Sequence, residues 1–484
     1  MQEELIYKGL FSPFLKSHWD NLQKIASKRN IKEVYLVGGA LRDLFLQRPV
    51  QDWDIALKKE VKMIAHLFAQ AIKAHFVVLD EKWETYRVIK EKQIFDFTPL
   101  RGKDIFEDLK ERDYTINAMA INLINPQGII DPTQGKQDLQ KRLLRVISPR
   151  AFWQDPLRIL RGVRLGAELN FSLERETRQL MKRYAPLLKN IPGERAYQEF
   201  KRLFLTNRAA AWTKEMGNLD IFKALLPEIE AMKGVTQDGF HHLDVYAHSL
   251  LTLEKMEEII IQPEKFFPEP ATSHQSPVTN YLCLPFHIFC LKWSALCHDI
   301  GKPSCRAQGE KRITFYRHNK VGANLFERIA QRLRFASKEK ELITFFITQH
   351  MWPFHLLALF LKQELSLRAV HRFIRKAEPH TIGLFILAMA DNQAAQGPGK
   401  PPEYDKAFLA FYQYVLRIRA QYLKLKQQPP LVTGHDIIHW FQLKPGPIIG
   451  KLLREIEEER FRGNIKTKED ARIWLEKRLE EINV

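Results

Sequence analysis

Residues 35–57 read YLVGGALRDLFLQRPVQDWDIAL, and the order of element types in this stretch decides the fold. Tyr35 to Val37 is a short run of the buried-strand type, Gly38-Gly39 permits a sharp turn with close backbone approach, and Ala40 to Leu46 has helical character. Free N–H groups at that helix start would face a bound triphosphate. Asp52 and Asp54 then precede Ile55-Ala56-Leu57. On a strand, positions i and i+2 share a face, so both carboxylates come within reach of the same divalent ions. Magnesium suits such a place, because it takes one or two carboxylates and completes its shell with phosphate oxygens.

Working outward, residues 31–145 mix further β-rich runs, His75 to Leu79 and Gln93 to Phe97, with helical patterns such as Met63 to Ala74, which predicts an α/β region. Asp96 lies inside the apolar run Ile94 to Thr98, where a charge is costly unless it is paired or bound to metal. Three acids on adjacent strands suit two-metal phosphoryl transfer, one ion activating an attacking 3′-hydroxyl and the other holding the departing pyrophosphate. From about residue 146 the pattern is almost wholly helical. It is punctuated at Pro192-Gly193, in a Pro-rich stretch Pro263 to Pro277 that reads as a loop, and in a second loop, Gln396 to Pro402. No internal repeat of fixed period is present.

At 484 residues the chain exceeds what one hydrophobic core organises and implies two to four domains. Its 45% hydrophobic and 27% charged residues exclude global disorder. Lys plus Arg against Asp plus Glu gives 75 − 57 = +18, which points to a polyanionic partner. Residues 139–208 hold 16 basic against 6 acidic residues, so 16 − 6 = +10 of that charge directly follows the α/β region, where a phosphate-rich substrate could lie. The first residues do not read as a signal peptide, and no run of about 18 apolar residues spans a bilayer, so a cytoplasmic location with no membrane partner is expected. Cys283, Cys290, Cys297 and Cys305 form no Cys-x-x-Cys pair and are expected to be core thiols rather than a zinc site.

The segment around Gly38-Gly39, Arg42-Asp43 and Asp52-x-Asp54 resembles the nucleotidyltransferase signature of the class II tRNA CCA-adding enzyme and bacterial poly(A) polymerase family. Further motifs follow in that family's order. Arg112-Asp113 with Asn117 resembles the ribose-reading motif, Asp131, Gly135 and Asp138-Leu139 the hinge, Gln154-Asp155-Pro156-Leu157-Arg158 the base-recognition motif, and Gly193-Glu194-Arg195 with Glu199 the last motif, and Arg161 is expected to bind nucleotide. As a carboxylate acceptor and a guanidinium fork, Asp155 and Arg158 at i and i+3 would share a helical face and could imitate a Watson–Crick edge. The resemblance covers roughly residues 31–205. It implies an α+β chain, with a nucleotidyltransferase head on a small mixed sheet (1–145), a helical neck that binds nucleobase and RNA (146–230), an HD domain (231–400) and a C-terminal helical module (401–484). It also implies catalysis by Asp52, Asp54 and Asp96 with two Mg²⁺ ions.

Three departures stand out. Gln154 occupies the place where the base motif usually has Glu, and Glu111 replaces the first Arg of the usual Arg-Arg-Asp. The third is a deletion: only Thr98 to Glu111 joins the third-carboxylate strand to the ribose motif, where family members that add the terminal A usually carry a long flexible loop. The short connection resembles the CC-adding members, whose pocket stays set for C. The expected partners are therefore the tRNA acceptor arm and CTP, with ATP as the alternative nucleotide, and not DNA. Complete CCA addition and poly(A) synthesis are the rival products.

A second constellation comprises His248 on a predicted helix, His298-Asp299 at the end of an apolar run, and Asp391 after another, so three helices could converge on one metal. This resembles the HD phosphohydrolase superfamily. His318 and His350 match places that hold a second ion in some of its members. The resemblance implies a divalent transition metal of unknown identity and phosphatase or 2′,3′-cyclic phosphodiesterase chemistry. Lys302 reads equally well as a phosphate partner or a solvent-facing residue. A rival of another class follows: an HD phosphohydrolase whose head only binds RNA. In the last segment, Gly434 and Pro445 to Pro447 read as turn chemistry before a helix over 448–459, and His435 and His439 as capping and surface residues rather than metal ligands.

Overall fold

Four consecutive apolar residues closed by Gly38 form strand β1, Val34–Val37, buried along its whole length. It lies inside a seven-stranded sheet with β2 (Asp52–Leu57), β3 (His75–Asp80), β4 (Thr85–Lys90), β5 (Gln93–Pro99), β6 (Ala120–Asn122) and β7 (Ile129–Ile130). The spatial order is β3-β4-β5-β2-β1-β6-β7. Only β2 and β5 pair in parallel; the other neighbours in this sheet are antiparallel. The β2–β5 crossover runs through the helix Val61–Ala71, whose Phe68 packs on Phe95 and Phe97. On the same core, Trp19 of the helix Pro13–Lys28 meets Trp53 and Phe95 edge-on, with centroids 5.5 and 5.8 Å away. Alternation along β2 buries Trp53 and Ile55 and turns Asp52 and Asp54 to the other face.

This computed structural model describes residues 13–237, 239–268, 276–309 and 313–482. The chain divides into two compact units, Met1–Pro227 and Glu228–Val484. The first holds the sheet and the helices that follow it, and the whole is the expected α+β fold. Helix Leu157–Leu169 is buried on most sides and docks against the segment after β5 through Tyr114, whose hydroxyl donates to Arg158 O at 2.8 Å. Gly162 makes room for that phenol, since a Cβ there would come within 1.9 Å of its oxygen. Two-residue strands at Leu143–Leu144 and Ser172–Leu173 pair in parallel and interrupt the helical pattern after the head.

Among the described residues, the regular structure of the second unit is helical apart from a two-stranded ribbon, Ala307–Gln308 with Ile313–Thr314. Helix Thr381–Ala394 is buried nearly all round, as expected of an apolar helix at the centre of a bundle. Several expectations need correction. Cys290 and Cys297 are core thiols on helix Pro285–Cys297, but Cys283 is exposed and Cys305 half-exposed, because both lie beyond that helix. The stretch from Pro263 is not all loop: Pro263–Phe266 and Pro277–Leu282 are helical, and residues 269–275 of it lie outside the described ones. Residues Ser337–Leu361 do form a stretch long and apolar enough by length and composition to cross a membrane. Here it is two helices, Ser337–Gln349 and Trp352–Leu361, broken at His350, which is buried among other polar groups. In the last segment Thr433 and Asp436 form a capping box, His435 and His439 are exposed, and helix Pro447–Phe461 follows the predicted turn.

Candidate active site and metal centre

In the first unit, the turn after β1 brings backbone against the acids of β2. Gly38 has φ 79°, and a Cβ on it would lie 2.7 Å from Asp54 Oδ2, so the residue needs both left-handed freedom and a bare α-carbon. Asp54 is in register with Val37 on one side and Asp96 on the other, which places the three carboxyl groups of Asp52, Asp54 and Asp96 on neighbouring strands of one face. Burial pushes the Asp54 carboxyl above its ordinary range; Arg112 opposes the rise and Asp96 and Asp52 add to it. Such a carboxylate is poised to gain from a cation.

These acids open into a cleft of about 700 Å³ whose wall is dominated by arginines. Arg42 donates to Asp43 at 3.0 and 2.8 Å and to Asn117 Oδ1 at 2.7 Å. Asn117 donates onward to Asp113, at 3.1 Å, and Asp113 also accepts from Arg161 at 2.9 Å. Burial would raise the Asp113 carboxyl, but Arg161 and the hydrogen bonds from Asn117 and Tyr114 N hold it well below the usual carboxylate range. Arg161 reaches Glu199 at 3.6 Å, and Glu199 also accepts from Arg164. A chain of alternating charge thus links the residues of the ribose, base and last motifs. The hinge residues sit behind it: Asp138 accepts from Thr115 Oγ1 at 2.7 Å, and Asp131 accepts from Gly135 N at 2.7 Å.

The structure departs from the sequence reading at Asp155. It does not share a helical face with Arg158, because Pro156 disfavours the α conformation at the residue before it. Asp155 is extended, the helix starts at Leu157, and the Asp155 carboxylate pairs with Arg195 at 2.8 Å. Arg158 and Arg161 line the cleft, and among the described residues Asp155 does not. Other groups on the wall escaped the sequence reading. Arg87 on β4 grips Asp96 with two hydrogen bonds, 2.7 and 2.8 Å, and Arg101, Arg164 and Arg202 also face the cleft. Strand alternation puts Arg87 on the face opposite Tyr86 and Val88, but its pairing with Asp96 depends on the β4–β5 register.

In the second unit, His248, His298, Asp299, His318, His350 and Asp391 are all buried and all converge. Ligand atoms fall into three overlapping groups, each within 4.8 Å: His241 with His248 and Asp391; His248 with His298 and Asp299; and Asp299 with His318 and His350. Asp299 belongs to two of them. His298, His318 and His350 each place Nδ1 2.8–2.9 Å from a backbone carbonyl, of Ala295, Phe315 and Ile347 respectively. A carbonyl only accepts, so Nδ1 carries a proton and Nε2 is the nitrogen turned into the cluster. His298 Nε2 is buried 3.2 Å from Asp299 Oδ2 and 3.7 Å from Asp391 Oδ1, and the Nε2 atoms of His318 and His350 face each other at 3.2 Å. Both features suit a cation between them, and the imidazole and carboxylate donor set suits a divalent transition metal.

Burial pushes His248 down to about 4 and His350 to about 3, against the pull of Asp391 on the first. Burial also opposes charge on His298, but Asp299 and Asp391 outweigh it and raise that group to about 9. A metal would have to displace this proton. Lys302 is not solvent-facing: it is buried, 2.6 Å from Asp299 Oδ2 and 2.6 Å from Gln237 Oε1. His241 escapes a reading of HHLDVYAHSL because it precedes the helix Val245–Ile261, so that its approach to His248 depends on the path of the chain before the helix.

Comparison with known proteins gives a consistent result. Residues 34–145 match the model of the poly A polymerase head domain and residues 170–233 that of the probable RNA and SrmB-binding site of polymerase A. Residues 245–395 match the HD domain, and residues 410–473 match tRNA nucleotidyltransferase domain 2. The chain is 31% identical to a CC-adding tRNA nucleotidyltransferase of Thermus thermophilus, over 92% of this chain and 93% of that one. It is 29% identical to an A-adding tRNA nucleotidyltransferase of Deinococcus radiodurans, over 92% and 95%. Among solved structures, the Thermotoga maritima CCA-adding enzyme complexed with tRNA superposes with a TM-score of 0.64 at 20% identity, covering 99% of this chain and 98% of that one, which shows the fold.

Proposed function

This chain belongs to the tRNA nucleotidyltransferase family and extends tRNA 3′ ends without a nucleic-acid template, and we propose that its own product is the CC dinucleotide, made from CTP. Its relatives differ in product, so the choice rests on the connection between β5 and the ribose motif. That connection is short and tied down. Asp104 caps helix Ile105–Lys110 by accepting from Glu107 N, while the buried Asp108 accepts from Arg101 N at 3.0 Å and from Arg112 Nε at 2.9 Å. A segment held at both ends has no slack with which to reshape the nucleotide pocket between C and A.

In this reading Asp52 and Asp54, assisted by Asp96, hold two Mg²⁺ ions, which would activate the terminal 3′-hydroxyl and stabilise the departing pyrophosphate. Arg42, Asp43, Gly38 and Gly39 face the triphosphate. Asp113 and Asn117, fixed by Arg161 and Arg42, read the ribose. Arg158 and Arg161 read the base, with Asp155 reaching it only if its ion pair with Arg195 opens. Arg87 neutralises Asp96 until a cation takes that role. The tRNA acceptor arm follows the basic helices after the head.

Offered tRNA transcripts that end before CCA, the protein should add two cytidines from CTP alone and go no further when ATP is supplied as well. Sequencing the product ends reads this directly; a completed CCA end or an A tail would overturn the proposed product. A second activity is favoured by one observation, the convergence of the inward-facing His298 with His248 and Asp299 in one buried group of possible ligands. We assign to this cluster metal-dependent phosphoester hydrolysis, with His248, His298, Asp299 and Asp391 as ligands of one divalent transition metal and His318 and His350 of a second.

A further inference from the structure

The two residues that depart from the family's motifs, Glu111 and Gln154, lie 43 positions apart and touch: Gln154 Nε2 donates to Glu111 Oε2 at 2.9 Å. Arg150 adds a longer contact, 3.8 Å from Glu111 Oε1. We propose that Glu111 and Gln154 form a clasp that positions Arg158 for nucleotide selection. The proposal rests on the assignment of Arg158 to base recognition.

The geometry behind it lies in how Arg158 is held. Its guanidinium is buried and hydrogen-bonds to three backbone carbonyls, Glu111 O at 3.0 Å and Arg112 O and Ala151 O at 3.4 Å. Those carbonyls lie at the end of one short helix, where Arg112 follows Glu111, and within another. Glu111 ends helix Ile105–Lys110, and Ala151 belongs to helix Arg150–Gln154, which Gln154 closes. The position of the guanidinium therefore depends on the separation of these two segments, and the Gln154–Glu111 hydrogen bond ties their ends together. Charge makes the pair interdependent. A glutamate at position 154 would set two carboxylates against each other at the 2.9 Å contact, and an arginine at position 111 would face Arg150. Either substitution is harmful alone, whereas both together make an ion pair of the opposite polarity.

Steady-state addition of CMP to tRNA ending before CCA, with the CTP-over-ATP preference measured alongside, tests this in Gln154→Glu, Gln154→Met, the double variant Glu111→Arg/Gln154→Glu, and Arg158→Ala. Gln154→Glu should raise KM for CTP about fivefold, with kcat nearly unchanged and a reduced preference for CTP. Gln154→Met, which removes the hydrogen bond without adding charge, should give a smaller effect in the same direction, and the double variant should return close to the parent. In an Arg158→Ala background, Gln154→Glu should add nothing. If Arg158→Ala alters nucleotide choice but both Gln154 variants leave KM and preference at parent values, or if the double variant is no better than Gln154→Glu, the clasp is wrong while base reading by Arg158 stands. If Arg158→Ala leaves nucleotide choice unchanged, the assignment of the base motif fails, and the clasp fails with it.

Discussion

Replacing Asp54 with asparagine lowers nucleotide incorporation by about a thousandfold or more, while the thermal midpoint stays level or rises. The activity half follows from position. Asp54 lies on β2 between Asp52 and Asp96 and beneath Gly38, and asparagine keeps its shape while removing the charge that would grip a metal ion. The stability half follows from the direction of its titration. Burial holds the Asp54 carboxyl above its ordinary range, so the charged form is disfavoured in the folded chain relative to the unfolded one. Above that raised value the ionised group weakens the fold, and the penalty disappears as pH falls through it. Asparagine removes the penalty at neutral pH. Incorporation assays and a melting curve on one preparation separate the two effects; retained incorporation would reject the site.

His298→Ala should abolish phosphoester hydrolysis and strip the second unit of bound metal, leaving CC addition at the parent rate. His298 supplies an inward Nε2, 3.2 Å from Asp299 Oδ2, within the group that also contains His248 and Asp299. Removing one of the ligands of a buried site costs metal affinity far more than the loss of a surface contact, because the remaining carboxylates stay desolvated. Metal content by elemental analysis, hydrolysis of a 2′,3′-cyclic nucleotide, and CC addition as an internal check of folding give three separate readouts. Hydrolysis that survives with metal still bound would remove His298 from the ligand set.

What the sequence made legible followed the range of the physical signal. Asp52 and Asp54 could be placed on one face because strand alternation is local, and Asp96 could be marked because a carboxylate in an apolar run needs a partner. The partner itself, Arg87, could not be found, since it depends on which strand lies beside β5 and in what register. Helical spacing does not reach Asp155, which lies two residues before the helix Leu157–Leu169, and Pro156 is the sequence signal for that boundary. The histidines and aspartates of the second unit were legible as a motif. The membership of Asp299 in two ligand groups, the inward turn of His241 and the burial of Lys302 were not, because each depends on how separate helices pack. The Glu111–Gln154 contact shows the same limit: both departures were visible singly, and their adjacency only in three dimensions.

The central claim is that the acids of β2 hold paired metal ions around an incoming nucleotide. A crystal soaked with CTP and Mn²⁺ tests it most directly through the anomalous signal of manganese. The account predicts two peaks in contact with Asp52 and Asp54 and bridged to the triphosphate. CTP bound in the cleft with no manganese at either carboxylate would contradict it.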